Sequence, residues 1–306
     1  MSGMRINLLE VGPRDGLQNE PRILPTAAKI ELIGRLAAAN LRRLEVTSFV
    51  NPKRVPQMAD AEAVMAGLPA RDGVSYIGLV LNRKGFERAR AAGCHEIGMA
   101  VVASDAFNRR NQGVSTHESV AAWLEIAHEA HRCGIKPHIT LSTAFGCPFQ
   151  GEVDPSHVLA LAQECARGEP TEISLADTVG VAVPSQVTDL FGRLRELLPG
   201  MPLRGHFHNT RNTGIANAYA AVMAGVETLD ASIGGLGGCP FAPAATGNIP
   251  TEDLLYMLNR MGFDTGVRLE ALIETGRWVQ EQVGRPLPGM LIKAGTFPHD
   301  PQCAKE

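Results

Sequence analysis

Short apolar runs recur along the chain, and each is followed by a longer stretch whose apolar positions repeat at helical spacing. Candidate strands read as Ile6–Val11, Leu44–Ser48, Ser75–Leu81, His95–Val101, Lys136–Ala144, Glu172–Ala176, Leu203–Phe207 and Glu227–Ser232. Between them the spacing predicts amphipathic helices, among them Ala27–Ala39, Ser119–Cys133, Ser156–Ala166, Ser185–Leu198 and Ile215–Ala224. Thr26, Ser119, Ser156 and Ser185 stand where N-caps are expected, and Gly93, Gly134 and Gly225 stop helices just ahead of strands. Strands and helices alternating in this way predict a (β/α)8 TIM barrel, one catalytic domain over residues 1–306, with extra C-terminal helices after about Glu252. A doubly wound open sheet is the alternative, but no G-x-G-x-x-G follows the first strand.

Composition narrows the function class. The net charge of −3 argues against a nucleic-acid surface. No apolar run reaches the length of a membrane span, and Met1-Ser2-Gly3-Met4-Arg5 has no signal-peptide core behind it. The six cysteines are scattered without a C-x-x-C pair, which fits reduced thiols in the cytoplasm.

In a barrel the loops after each strand's C-terminal end build the active site, so polar residues there carry the chemistry. The first strand ends in Glu10-Val11-Gly12-Pro13-Arg14-Asp15-Gly16, the second contains Glu45, and the sixth ends at Asp177-Thr178. The seventh ends in His206-Phe207-His208. An H-x-H spacing in a strand puts both imidazoles on one face, about 6–7 Å apart along the chain, within reach of one ion. Asp15 and Asn248 can add oxygens, and such a mixed set suits Mg2+ or Mn2+ better than tetrahedral zinc. Arg14 reads as an electrophile or a solvated turn cation, although side chains of adjacent residues are expected to diverge. Glu45, odd in an apolar strand, reads as its partner.

The run Gly234-Gly235-Leu236-Gly237-Gly238-Cys239-Pro240 places one thiol in a glycine-rich loop, a candidate lid over about 233–248. Arg109 and Arg110 fit a phosphate-holding loop or plain surface. His95, His117, His128, His131 and His157 read as solvated, and His138 as either core or cavity.

Taken together, Glu10–Glu20, Glu45–Asp60, Phe145–Gly151, Ile173–Gly180, His206–His208 and Leu236–Leu258 resemble the hydroxymethylglutaryl-CoA lyase family, within the wider group of metal-dependent aldolase and synthase barrels. The resemblance implies a homodimeric barrel holding Mg2+ or Mn2+ through Asp15, His206, His208 and Asn248. It also implies catalytic roles for Arg14 and Cys239, with Glu45 and Asp177 in support, and an acyl-CoA near Arg109, Arg110 and Asn111. The implied reaction is retro-Claisen cleavage of a 3-hydroxyacyl-CoA to acetyl-CoA and a keto acid, with Asp15, Asp177 or a bound water taking the hydroxyl proton. A Claisen-type synthase and a pyruvate-releasing aldolase are the alternatives on the same barrel; a metal- or CoA-binding protein without catalysis is a third. Asn209-Thr210-Arg211-Asn212 departs from the family's Asp-Thr-Tyr-Gly-like continuation, and Arg211 is expected beside the metal histidines.

Overall fold

The computed structural model describes residues 5–238 and 247–297. Eight parallel strands, β1 (Asn7–Glu10), β2 (Arg43–Ser48), β3 (Ser75–Val80), β4 (Glu96–Val102), β5 (Lys136–Ser142), β6 (Ile173–Asp177), β7 (Leu203–Phe207) and β8 (Thr228–Ala231), close into a barrel in chain order. Closure comes from β1 pairing β8, Asn7 opposite Thr228 through Glu10 opposite Ala231. Each predicted strand is present, with ends shifted by at most two residues.

The outer layer is α1 (Thr26–Ala38), α2 (Ala61–Gly67), α3 (Arg83–Ala91), α4 (Asp105–Asn111), α5 (Thr116–Arg132), α6 (Pro155–Ala166), α7 (Pro184–Leu197) and α8 (Gly214–Met223). Then α9 (Thr251–Arg260), α10 (Leu269–Val283) and α11 (Leu291–Ala294) supply the expected C-terminal helices. The main core lies between strands and helices, where Leu32, Ile33 and Leu36 of α1, Trp123 of α5 and Phe191 of α7 are fully buried. Trp123 keeps its indole N–H satisfied on the Cys165 carbonyl at 2.8 Å, so its large ring enters the core without an orphaned donor.

The helix starts differ from the expected caps. Ser115, not Ser119, caps α5, in a reciprocal box with Glu118, and Asp154 caps α6 ahead of Ser156. Thr26 and Ser185 fall inside α1 and α7, whose first turns follow Pro25 and include Pro184. α5 and α6 start upstream of the expected cap because a residue with a capping side chain precedes it, whereas α1 and α7 start at or just before it with a proline at the N-cap or in the first turn.

Inside the barrel, alternate strand residues point to the axis, and many are polar. At the N-terminal end Arg43 bonds both oxygens of Glu172, at 2.8 and 2.9 Å, and reaches Glu96 at 2.6 Å. Arg204 adds a third arm to Glu172 at 2.9 Å. Burial would raise the Glu172 carboxyl, but Arg204 and Arg43 hold it at about 2. This ion network plugs the barrel floor; the C-terminal end stays open.

Candidate active site at the barrel mouth

After β1 the chain makes one wide π-type turn over Gly12–Gly16, with Pro13 near its start. That turn brings neighbouring side chains together instead of apart: Arg14 Nη1 donates to Asp15 Oδ1 at 2.7 Å, contrary to the expected divergence. Arg14 Nε also donates to Glu45 Oε2 at 2.7 Å. Pairing of β2 with β3 slips in register between Glu45 and Thr47, and such an irregularity is a usual means of re-aiming one strand side chain. Burial works against the Arg14 charge, yet Glu45 and Asp15 raise its pKa, so the guanidinium stays a cation inside the cavity.

His206 and His208, on the end of β7 and just beyond it, turn their Nε2 atoms toward each other at 3.1 Å. Asp15, His206 and His208 each present a ligand atom, and these atoms lie within 4.8 Å of one another. Two facing imidazole nitrogens can share at most one proton, so a lone pair points into the space between them. Two nitrogens and a carboxylate oxygen converging on that space fit a divalent cation. Burial would raise the Asp15 carboxyl, but Arg14 and the two histidines hold it at about 2, and burial followed by His206 pushes His208 down to about 4. Both values favour an ionised Asp15 and a neutral His208 at neutral pH, as a cation requires, while burial lowers the His206 pKa but Asp230 outweighs it and raises it. Asn248 touches this group through its amide nitrogen, which donates to Asp15 Oδ2 at 2.8 Å and to the Leu236 carbonyl at 3.1 Å.

Arg14, Asp15, Glu45, His206 and His208 open on a cavity of about 690 Å³ that also meets Asn111, Thr178, Asp230 and Gly238. Cys239 lies outside the described residues, but both stems of its loop are fixed. Gly238 accepts from Asn19 Nδ2 at 2.9 Å, and the Gly247 carbonyl accepts from the Asn209 N–H at 2.8 Å. The stems touch at Gly237 and Gly247, with φ of 119° and 84°. A Cβ on Gly247 would lie 2.0 Å from the Gly237 carbonyl oxygen, so no other residue fits there.

Other expected residues are placed differently. Asp177 accepts from the N–H groups of Val181 and Ala182 at 2.9 and 3.0 Å, so it holds the turn after β6 in shape while Thr178 lines the cavity. Arg109 and Arg110 sit on the short helix α4, not in a loop; Arg109 bonds Asp105 at 2.7 Å and Arg110 lies 4.0 Å over the Phe149 ring. Of that trio, Asn111 is the one lining the cavity. Arg211 is not beside the histidines: it donates to the carbonyls of Val179 and Gly180 at 3.1 and 2.9 Å, tying the β6 and β7 loops together. Three histidines read as solvated have protein partners. His95 accepts from the Tyr76 N–H at 3.1 Å, His157 meets the Ala103 carbonyl at 2.9 Å, and His131 meets the Glu169 carbonyl at 3.0 Å. His138 is a barrel-interior residue, whose Nδ1 lies 3.2 Å from Arg204 Nη2.

Sequence reasoning missed two carboxylates around the site. Glu10 accepts from the Gly12 N–H at 2.8 Å, the Ile233 N–H at 2.9 Å and the Thr251 hydroxyl at 2.6 Å. One buried side chain thus joins the Arg14 turn, the lid stem and the segment following Asn248. Burial raises its pKa to about 7 despite these donors. Asp230, on β8, stands 3.1 Å from His206 Nδ1. The available signal was their position: each is the single acid of a short, largely apolar strand.

A closed parallel barrel with a carboxylate, two imidazoles and a buried arginine gathered at its C-terminal mouth defines a barrel enzyme with a prospective metal centre. The family model described as HMGL-like matches residues 5–279. The chain is 45% identical over 279 residues to hydroxymethylglutaryl-CoA lyase of Pseudomonas mevalonii, covering 91% of this chain and 93% of the relative. It is 43% identical over 300 residues to (R)-citramalyl-CoA lyase of Chloroflexus aurantiacus, covering 95% of each. Among solved structures, an HMG-CoA lyase of Acinetobacter baumannii in complex with coenzyme A and 3-methylmalate superimposes with a TM-score of 0.93 at 38% identity, over 97% of each chain. The protein belongs to the hydroxymethylglutaryl-CoA lyase family and is a carbon–carbon lyase. Among the described residues no helix is long and apolar enough to cross a membrane.

Proposed function

We propose that the protein cleaves 3-hydroxy-3-methylglutaryl-CoA, or a close 3-hydroxyacyl-CoA analogue, to acetyl-CoA and a keto acid, as a single-domain, cytoplasmic homodimer. The observation that carries this is the convergence of Asp15, His206 and His208 on one point beside the Arg14 guanidinium. Asp15, His206 and His208 would hold Mg2+ or Mn2+, with Asn248 as a fourth ligand through its amide oxygen. Bound there, the cation supplies Lewis-acid polarisation of the substrate's hydroxyl and a neighbouring oxygen.

The remaining work belongs to the chain. The substrate hydroxyl loses its proton, its oxygen becomes a carbonyl, and the adjacent carbon–carbon bond breaks with its electron pair passing to the thioester fragment. With Asp177 committed to backbone donors, Asp15 or a bound water is left to take that proton. Arg14, pinned by Glu45, stabilises the negative charge on the thioester enolate oxygen. Cys239 delivers a proton to the enolate carbon, completing acetyl-CoA, while its loop excludes water. Asn111 contacts the acyl-CoA, with Arg109 and Arg110 on the same helix as candidates for its phosphates.

The relative from Chloroflexus supports a second substrate, citramalyl-CoA, whose cleavage gives pyruvate. Its carboxylate is one methylene closer to the carbinol carbon, and the reacting groups are the same. The test is to incubate the purified protein with Mg2+ and each thioester in parallel, following acetyl-CoA, acetoacetate and pyruvate. Acetoacetate from the methylglutaryl thioester is expected. Pyruvate alone would change the substrate and keep the chemistry, whereas no cleavage of any 3-hydroxyacyl-CoA offered would overturn the reading.

A further inference from the structure

His206 and His208 are held in opposite ways. His208 Nδ1 is buried with no hydrogen-bond partner, whereas His206 Nδ1 lies 3.1 Å from Asp230 Oδ2. The other Asp230 oxygen stands 3.3 Å from Arg204 Nε, an ion pair whose angle falls short of a hydrogen bond. Arg204 is itself fixed, donating to Glu172 and to Thr140 Oγ1, each at 2.9 Å. A carboxylate beside Nδ1 favours the tautomer with its proton there, which leaves the Nε2 lone pair facing His208 and Asp15. It also locks the ring's rotation, because Asp230 sits on the neighbouring strand β8.

We infer that Asp230 is the positioning residue of the metal centre, selecting the tautomer and orientation in which His206 can ligate, with Arg204 as its counter-charge. This rests on the proposed cation site. Outer-sphere carboxylates of this kind typically govern metal affinity by 10–100-fold. The asymmetry also ranks the two histidines: His206 is pre-set for binding and His208 must be ordered by it.

The experiment is calorimetric Mn2+ titration of metal-free wild type, Asp230→Asn, Asp230→Glu and Asp230→Ala, with no substrate present. Thermal unfolding in chelator and long-range 1H–15N spectra of the imidazoles accompany it. Asp230→Ala is expected to weaken Mn2+ binding about 10–100-fold and to turn the His206 ring from a single Nδ1–H tautomer into a mixture. Asp230→Glu should recover part of the affinity. Asp230→Asn, which keeps an acceptor but loses the charge, should fall between, and it carries the test if Asp230→Ala does not fold. Unchanged Mn2+ affinity with a lowered unfolding temperature would overturn the inference, reducing Asp230 to a partner for Arg204. Wild type that takes up no Mn2+ would overturn the cation site itself, and the inference with it.

Discussion

The two ends of the barrel use the same residue types and reach opposite results. At the floor, Arg43, Glu96, Glu172 and Arg204 form a network whose carboxylates are engaged by guanidinium groups of the chain itself. At the mouth, Arg14, Asp15, His206 and His208 are also packed together, but two imidazole nitrogens face each other across a shared lone pair. A cluster closed on itself is architecture; one left with donor atoms converging on a cavity is prepared for something else. The difference lies in completeness, not in charge or burial.

Substitution tests that separation. Asp15→Ala should lower kcat/KM by about 10⁴-fold, the loss of several kcal/mol of metal-derived stabilisation, with little change in the unfolding temperature in chelator. A large fall in that temperature would show that the mouth, too, is a structural plug. Cys239→Ala should lose about 10³-fold in kcat with an unchanged Mn2+ isotherm. Turnover at the wild-type rate would remove the thiol from the chemistry.

The floor should behave in the reverse sense. Glu172→Gln leaves two arginines short of a partner and should cost about 3 kcal/mol of stability in urea denaturation, while Mn2+ affinity stays within about threefold. A larger drop in affinity would show that the two ends are coupled through Arg204. The smallest effect is the most specific, because the two ends respond to pH with opposite signs. Glu172, held at about 2 against an ordinary 4.5, contributes stability above pH 4.5 that is lost as pH falls toward 2. Glu10, raised from 4.5 to about 7, contributes stability below pH 4.5 that is lost as pH rises through 7. Glu10→Gln, a mimic of the protonated acid, should make the second slope shallower, with Glu252, raised by burial to about 8, supplying the rest, and leave the first unchanged. Unchanged slopes in that variant would show that Glu10 is not the group titrating.

The barrel was legible because eight buried strands alternating with helices leave a strong periodic pattern, and the histidine pair because H-x-H needs only a strand to converge. Arg14 with Asp15 was harder. Adjacent side chains normally part, and only the π-type turn at Gly12–Gly16 joins them. The interior network escaped because its members come from different strands or strand edges, far apart in sequence. Arg43, Glu96, Glu172, Arg204 and Asp230 become neighbours only once the sheet closes. Arg211 misled for the reverse reason: nearness in sequence to His208 counted for less than the two loop carbonyls it could reach.

The contact between Gly237 and Gly247 makes the Cys239 loop a cassette. Because its ends are pinned to each other and to Asn19 and Asn209, residues 239–246 can be lengthened, shortened or exchanged with those of a relative without dragging Asp15 or Asn248 along. Closing a somewhat longer loop costs little, about 0.6 kcal/mol per doubling. Evolution, or an engineer, can therefore alter the residues between the two stems while Asp15 and Asn248 remain as they were.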